Sequence, residues 1–377
     1  MPAGVSTTQV AVVGGGVIGA ACARAAAQRG LPVTLFAPGP DVAAASAASA
    51  GMLAAQIEPH DDQLLPLAVR GRSLYEHLAA TLKDTTGINI RFQRTGIASV
   101  AFAEHEAAAL QDRAAAQRQR GLPCDWLEAA EVHERWPGIA PQALGALFAP
   151  EGGCLDPATL TAALLADARR LGAAVVPEGV VRVALTRGRV SGVVTKDATV
   201  PAENVVLAAG AWSARIGGLP RPLPIEPVRG QLVATPWPEG LAPVILHHDH
   251  AYLLPRGTEA ILGSTMERAG YDARTTNQGT ADIRAAAERL CPAICPMPTR
   301  RVWAGLRPMT PDGRPILGAD PDMVGLWYAT GHGRNGILLA AITGEILGDL
   351  LATGRTDVDI SQFSVGRFGS GRLSADG

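Results

Sequence analysis

Apolar positions near the start of the chain fall into two short runs. Residues 9–13, "QVAVV", have the pattern of a strand; glycines follow, and Ala20–Arg29 reads as an alanine-rich helix stopped by Gly30. Val33–Phe36 is the second run. The opening therefore predicts strand, glycine turn, helix and strand in succession.

Further along, residues 61–87 carry apolar positions at helical spacing and end at a glycine. Asp156 and Pro157 open another helix as N-cap and first residue, and Gly172 stops it. Residues 179–195 alternate on either side of a tight "RGR" turn, which predicts a hairpin. "NVVLAAGAWS" (204–213) predicts a buried strand entering a small-residue turn. Residues 227–265 read mostly as strands, followed by a helix over Gly279–Leu290. The last third holds "WAGLRPMTPDGRPILG", a strand "GLWYATG", the loop "GHGRNG" and an apolar helix "ILLAAITGEILGDLL". Glycine-rich strand-to-helix turns thus lie in the first and last thirds, with β-rich stretches between. This distribution predicts an α/β domain assembled from distant segments, with a second domain inserted.

Composition narrows the class of protein. With 377 residues the chain is long enough for two domains, and 33 basic against 35 acidic residues leave no basic stripe for nucleic acid. No charged residue precedes Arg24, but the positive n-region of a signal peptide is missing and glycines break the apolar run. The expectation is a soluble, cytoplasmic protein without a membrane span. Five scattered cysteines fit free thiols in a reducing compartment. The histidines of "HHDH" (247–250) alternate faces if they lie on a strand, so no metal site is expected.

Chemistry is suggested at three places. Gly14-x-Gly16-x-x-Gly19 is a dinucleotide fingerprint: the glycines allow a tight turn, close approach to a pyrophosphate and helix–strand packing, and the helix N-terminus offers unpaired N–H groups. The acidic ribose ligand expected about 20 residues on is replaced by Ala37, 23 positions after Gly14. No Lys or Arg follows before Arg70, so an NADP site is not supported, and Asp41 is the nearest acid. "GHGRNG" (331–336) is a second glycine-rich turn before a helix, suited to a group that becomes anionic, such as a reduced flavin. Arg307 follows the apolar "VWAGL", and a buried arginine there calls for an anionic partner such as a carboxylate.

These motifs, with "SAASAGMLAAQIE", "GGCLDPATLTAALLADA", "PVRGQLVAT", "YLLPR" and "LGSTME", resemble the D-amino-acid oxidase superfamily of FAD-dependent amine oxidoreductases, and within it the glycine oxidase group of thiamine biosynthesis. The likeness runs from about Val10 to Leu351. It implies a Rossmann-like FAD-binding domain over 1–87, 150–225 and 300–364. A mainly antiparallel β substrate-binding domain would occupy 88–149 and 226–299, with 365–377 a disordered tail. Val17 and Ile18 would lie along the FAD pyrophosphate. Ala45, Ser46, Ala50, Gly51 and Met52 would run beside the ribityl chain and flavin ring, and Val180 would contact the adenine. Gly210 and Ala37 complete that side. His332, Gly333, Arg334, Asn335, Gly336, Ile337 and Leu338 would wrap the pyrimidine end.

Arg307 and Tyr252 would grip the substrate carboxylate, with Arg334 as a second positive group and Met266 and Gly305 lining a small pocket. The implied reaction is hydride transfer from a small amino acid to FAD, with O2 or another acceptor regenerating it and imine and H2O2 as products. The imine would supply thiazole synthesis. Sarcosine, D-proline and D-amino-acid dehydrogenase activities remain open alternatives, as does homo-oligomer formation. Relatives that tether their flavin use a late cysteine; "RPMTPDG" has none, which implies non-covalent FAD.

Overall fold

The structure, a computed structural model, describes residues 8–39, 44–57 and 63–369. Thr8–Val13 lies inside an eight-stranded sheet, parallel to Val33–Phe36 on one side and Thr199–Leu207 on the other. Ala174–Val176 and Leu326–Thr330 extend the parallel set, and Ile316–Ala319 closes one edge antiparallel. The first strand is apolar at successive positions because both its faces are covered. Val10 and Val12 join a core shared with the helices Val17–Gln28, Pro157–Arg170 and Gly336–Thr353. Ala11 and Val13 meet the hairpin of Val180–Thr186 and Arg189–Thr195 on the other face.

The anticipated boundaries of the Pro157–Arg170 helix are present: the Asp156 carboxylate accepts the Thr159 N–H at 3.0 Å, and Gly172 follows with φ of 97°. Asp167, fully buried, anchors this helix to the first one through Arg24 at 2.6 Å. Residues 61–87 form two helices, Leu65–Ser73 and Tyr75–Thr86, with Leu74 at the junction. Gly333–Thr353 is, among the described residues, the one helical segment long and apolar enough to cross a membrane, with a mean hydropathy of 1.6. It packs against Val17–Gln28 and Leu65–Ser73, which accounts for apolar residues around its circumference.

The second sheet also has eight strands, in the order Arg301–Met309, Glu226–Pro236, Glu259–Gly263, Ala251–Arg256, Ile245–His248, Ile97–Ala101, Gly145–Ala149 and Asp125–Glu128. All neighbours are antiparallel except Ile245–His248 with Ile97–Ala101. Alternation sorts its residues: Val233, Leu253 and Leu262 pack under helix Asn277–Leu290, while Leu232, Leu254 and Ile261 face Ala50, Ala54 and Ile57 of the first segment.

Two expectations about segmentation change. Residues 301–309, placed at first with the FAD-binding domain, pair along the whole of Glu226–Pro236 and belong to the second sheet. Residues 365–369 are not a disordered tail. Val365–Phe368 forms a 3-10 turn, Val365 is buried against the first sheet, and Arg367 Nε pairs with Asp312 at 2.7 Å.

Candidate active site

A cavity of about 780 Å³ opens where the carboxyl ends of the parallel strands meet the inner face of the second sheet. Helices Val17–Gln28 and Gly336–Thr353 both begin at its wall. Neither has an acidic residue in its first turn or a cap bond from its own N-cap side chain, so most of their leading N–H groups are left for a ligand. Ser46 Oγ accepts the Val17 N–H at 3.0 Å and ties the first helix to the neighbouring loop. The described lining contains Arg215, Arg307 and Arg334 and no Asp or Glu. A long cleft with two helix N-termini and arginines on its described wall fits a ligand carrying a pyrophosphate and a second anion beside it. FAD is such a ligand.

Most anticipated residues line this cavity: Gly14, Gly16, Val17, Ile18, Ala45, Ser46, Ala50, Met52, Val180, Gly210 and the whole run from His332 to Leu338, together with Tyr252, Met266, Gly305, Arg307 and Arg334. Three anticipated cofactor residues do not. Gly19 sits behind the loop, its Cα against the Gly14 carbonyl; Gly51, with φ of 91°, lies against the Leu155 carbonyl. Ala37 turns its Cβ towards Gly15 and donates its N–H to Val176 O at 2.9 Å, leaving Phe36, Pro38 and Gly39 to form the wall there. Asp41 lies outside the described residues.

Ala37 is nonetheless adjacent to the fingerprint turn. Ala37→Glu is expected to tighten FAD about tenfold, since a charged hydrogen bond contributes ~1.5–3 kcal/mol, without altering substrate preference. Titration of apoprotein with FAD checks this. Unchanged affinity would mean another group already holds the ribose.

At the opposite end, strand register brings four chain segments together. Tyr252 pairs with Gly263, and Arg307 is the diagonal neighbour of Gly230 on the adjoining strand. Both side chains lie flat over glycine. A Cβ at Gly230 would fall within 3.0 Å of Nη1, Cζ and Nη2 of Arg307, and one at Gly263 equally close to the Tyr252 phenol. Arg307 Nη1 donates to Thr265 O at 3.0 Å and Nη2 to Ser264 Oγ at 2.7 Å.

Those acceptors are themselves anchored. Thr265 Oγ1 accepts the Gln231 N–H at 2.9 Å, and Glu267 accepts from Gln231 Nε2 at 2.7 Å and Arg229 Nε at 2.6 Å. Burial raises the Glu267 pKa, but hydrogen bonds from Arg229, Gln231 and Thr265 outweigh it and hold the carboxyl below its usual range. The imidazole of His332 is pushed by burial down to about 3 and is neutral; its Nε2 meets Thr343 Oγ1 at 3.0 Å. Positive character at the start of that helix therefore comes from backbone N–H groups and from the exposed Arg334.

The segment 44–52, which includes the short helix Ala45–Ala48, forms the side wall between these ends. Its carbonyls are held from the second sheet: Trp303 Nε1 donates to Ala48 O at 2.9 Å, and Arg256 Nη2 donates to Ser49 O at 2.9 Å and also to Ala50 O. Arg256 Nε is buried without a partner among the described residues. Burial pulls this guanidinium below the usual arginine range, opposed by Asp156. The role of Arg256, like those of Gly230, Gly263 and Ser264, follows from cross-strand register; "PVRGQLVAT", "YLLPR" and "LGSTME" contain these residues without assigning them a role.

The "HHDH" histidines do diverge: His247 Nδ1 approaches Ser99 Oγ at 3.3 Å, whereas His248 Nδ1 meets Val100 O at 3.0 Å. Among the described residues no three metal-ligating side chains are grouped. Cys22 and Cys154 are pushed up to about 12 and Cys124 and Cys291 to about 11 by burial, and no cysteine is part of the described cavity lining.

A parallel sheet with a glycine fingerprint, a second sheet facing it and an anion-binding cleft between them define a two-domain dinucleotide-dependent oxidoreductase. The model of the FAD dependent oxidoreductase family matches residues 9–350, and the chain belongs to that family. It is 37% identical over 365 residues to glycine oxidase of Geobacillus kaustophilus (strain HTA426), covering 95% of this chain and 96% of that one. The crystal structure of glycine oxidase from Geobacillus kaustophilus superimposes with a TM-score of 0.90 at 36% identity, covering 95% and 98% of the two chains. The bifunctional protein ThiO/ThiG of Trichormus variabilis (strain ATCC 29413 / PCC 7937) is 34% identical over 373 residues, which span 96% of this chain and 55% of that protein.

Proposed function

We propose that the protein oxidises glycine with FAD as cofactor and O2 as acceptor, giving the imine and H2O2, and that the imine supplies thiazole assembly in thiamine synthesis. The observation that carries the reading is that Arg307 and Tyr252, each pressed onto a glycine, both line the part of the cleft formed by the second sheet. A guanidinium fork suits a carboxylate. Met266, Leu232 and Met52 line the same cavity. Similarity to glycine oxidase over nearly the full length of both chains supports the substrate, and similarity to one part of ThiO/ThiG supports the destination.

When bound, FAD supplies the two-electron acceptor and the route of those electrons to O2. Val17, Ile18 and Ser46 would hold its pyrophosphate side, and the backbone from His332 to Leu338 would face its ring. Arg307 and Tyr252 fix the carboxylate, which sets the direction of the Cα–H bond. An amine that enters uncharged needs no side-chain base; the described lining holds no Asp or Glu, and burial makes the His332 imidazole a poor proton acceptor. Under anaerobic conditions glycine should bleach the flavin bands of the purified protein, and air should restore them. Bands unmoved by glycine would reject the assignment.

A further inference from the structure

We infer that Ser264 is a third ligand of the substrate carboxylate, an inference that rests on the carboxylate reading of this end of the cleft. Ser264 lines the cavity, and its Oγ accepts from Arg307 Nη2 at 2.7 Å. A guanidinium can only donate, so the hydroxyl is the acceptor in that bond, and its single proton is left for another group. Among the described residues Arg307 is the only side-chain partner of this hydroxyl, and the described lining carries no acid to capture the proton. The backbone leaves it little latitude: Ser264 N donates to His250 O at 3.3 Å, and Thr265 is pinned to Gln231.

Ser264 is also next in sequence to Gly263, on which the Tyr252 phenol rests. Arg307, Tyr252 and Ser264 therefore converge from three strands or strand ends on one spot. A carboxylate offers two oxygens with about four lone-pair sites, more than a guanidinium fork fills. Donation from Arg307 polarises the serine O–H and strengthens it towards an anion. The serine would discriminate for a free carboxylate and add nothing for an amine that lacks one.

The test uses the FAD-loaded enzyme and glycolate, a carboxylate without the amine, followed by the perturbation of the flavin spectrum. Ser264→Ala should weaken glycolate and raise the glycine KM by roughly fivefold to tenfold, with kcat, FAD affinity and melting temperature little changed. Ser264→Thr should restore most of the loss. In the Arg307→Lys background, Ser264→Ala should still cost severalfold. No further loss there would show that the serine acts only by holding Arg307, and would overturn the inference. Wild-type affinity in Ser264→Ala would overturn it too. If the wild-type enzyme itself takes up no glycolate, the carboxylate reading falls and this inference with it.

Discussion

Gly230→Ala is expected to raise the glycine KM by about two orders of magnitude while leaving the protein folded and yellow. Gly230 is paired in a regular antiparallel ladder with Gly305 and has no left-handed backbone requirement, so alanine is tolerated by the strand itself. The obstacle is Arg307. A Cβ at Gly230 would fall within 3.0 Å of three guanidinium atoms, which essentially never happens between real atoms. The far end of an arginine can usually move aside. Here it is held by Ser264 Oγ and Thr265 O, so lifting it breaks both bonds and tilts the fork away from the substrate. Hydrogen bonds to charged groups contribute ~1.5–3 kcal/mol each, and the loss of bidentate geometry falls on binding before chemistry. Steady-state oxygen uptake gives KM and kcat separately, and flavin absorbance confirms occupancy.

The second large effect lies at the other end of the cleft. Gly19→Ala should yield colourless protein that FAD restores only weakly, with affinity down by about 100-fold or more. A Cβ there would enter the Gly14 carbonyl, backbone against backbone. Overpacking costs ~1–3 kcal/mol where side chains can yield, and here neither partner can. Gly14 cannot retreat, because it has φ of 113° and is itself pressed against Ala208. The remaining escape is to move the start of helix Val17–Gln28, which takes the N–H groups away from the pyrophosphate. The ratio of flavin to protein absorbance, followed by titration with FAD, reads the result.

The parts of this site that could be read in the sequence are those written as contiguous motifs. The fingerprint from Gly14 to Gly19, the "GHGRNG" turn and Arg307 after "VWAGL" each carry their chemistry within a few residues, and the fold brings them around one cleft. The floor beneath Arg307 and Tyr252 is different in kind. Gly230 matters because its strand runs beside that of Arg307, and Gly263 because it faces Tyr252; neither relation exists until the strands are in register. Arg256 is similar: "YLLPR" does not show that it reaches Ser49 O, more than 200 residues away in the chain, with an Nε that has no partner among the described residues.

The segmentation error at residue 300 has the same origin. "VWAGLRPM" is compatible with either sheet, and long-range pairing with Glu226–Pro236 decides between them. Helix Glu104–Gln119 escaped notice because only Ala114 and Gln117 are buried, so no apolar stripe marks it. Ala37 was legible as a departure, but its orientation towards Gly15 was not.

Oxygen consumption with glycine, measured on the FAD-loaded enzyme alongside sarcosine, D-alanine and D-proline, tests the central claim most directly. The proposed carboxylate site between Arg307 and Tyr252 predicts saturable uptake with glycine and one H2O2 formed per O2 consumed. Flavin bleaching by glycine without oxygen uptake, or uptake with the other amines and none with glycine, would contradict it.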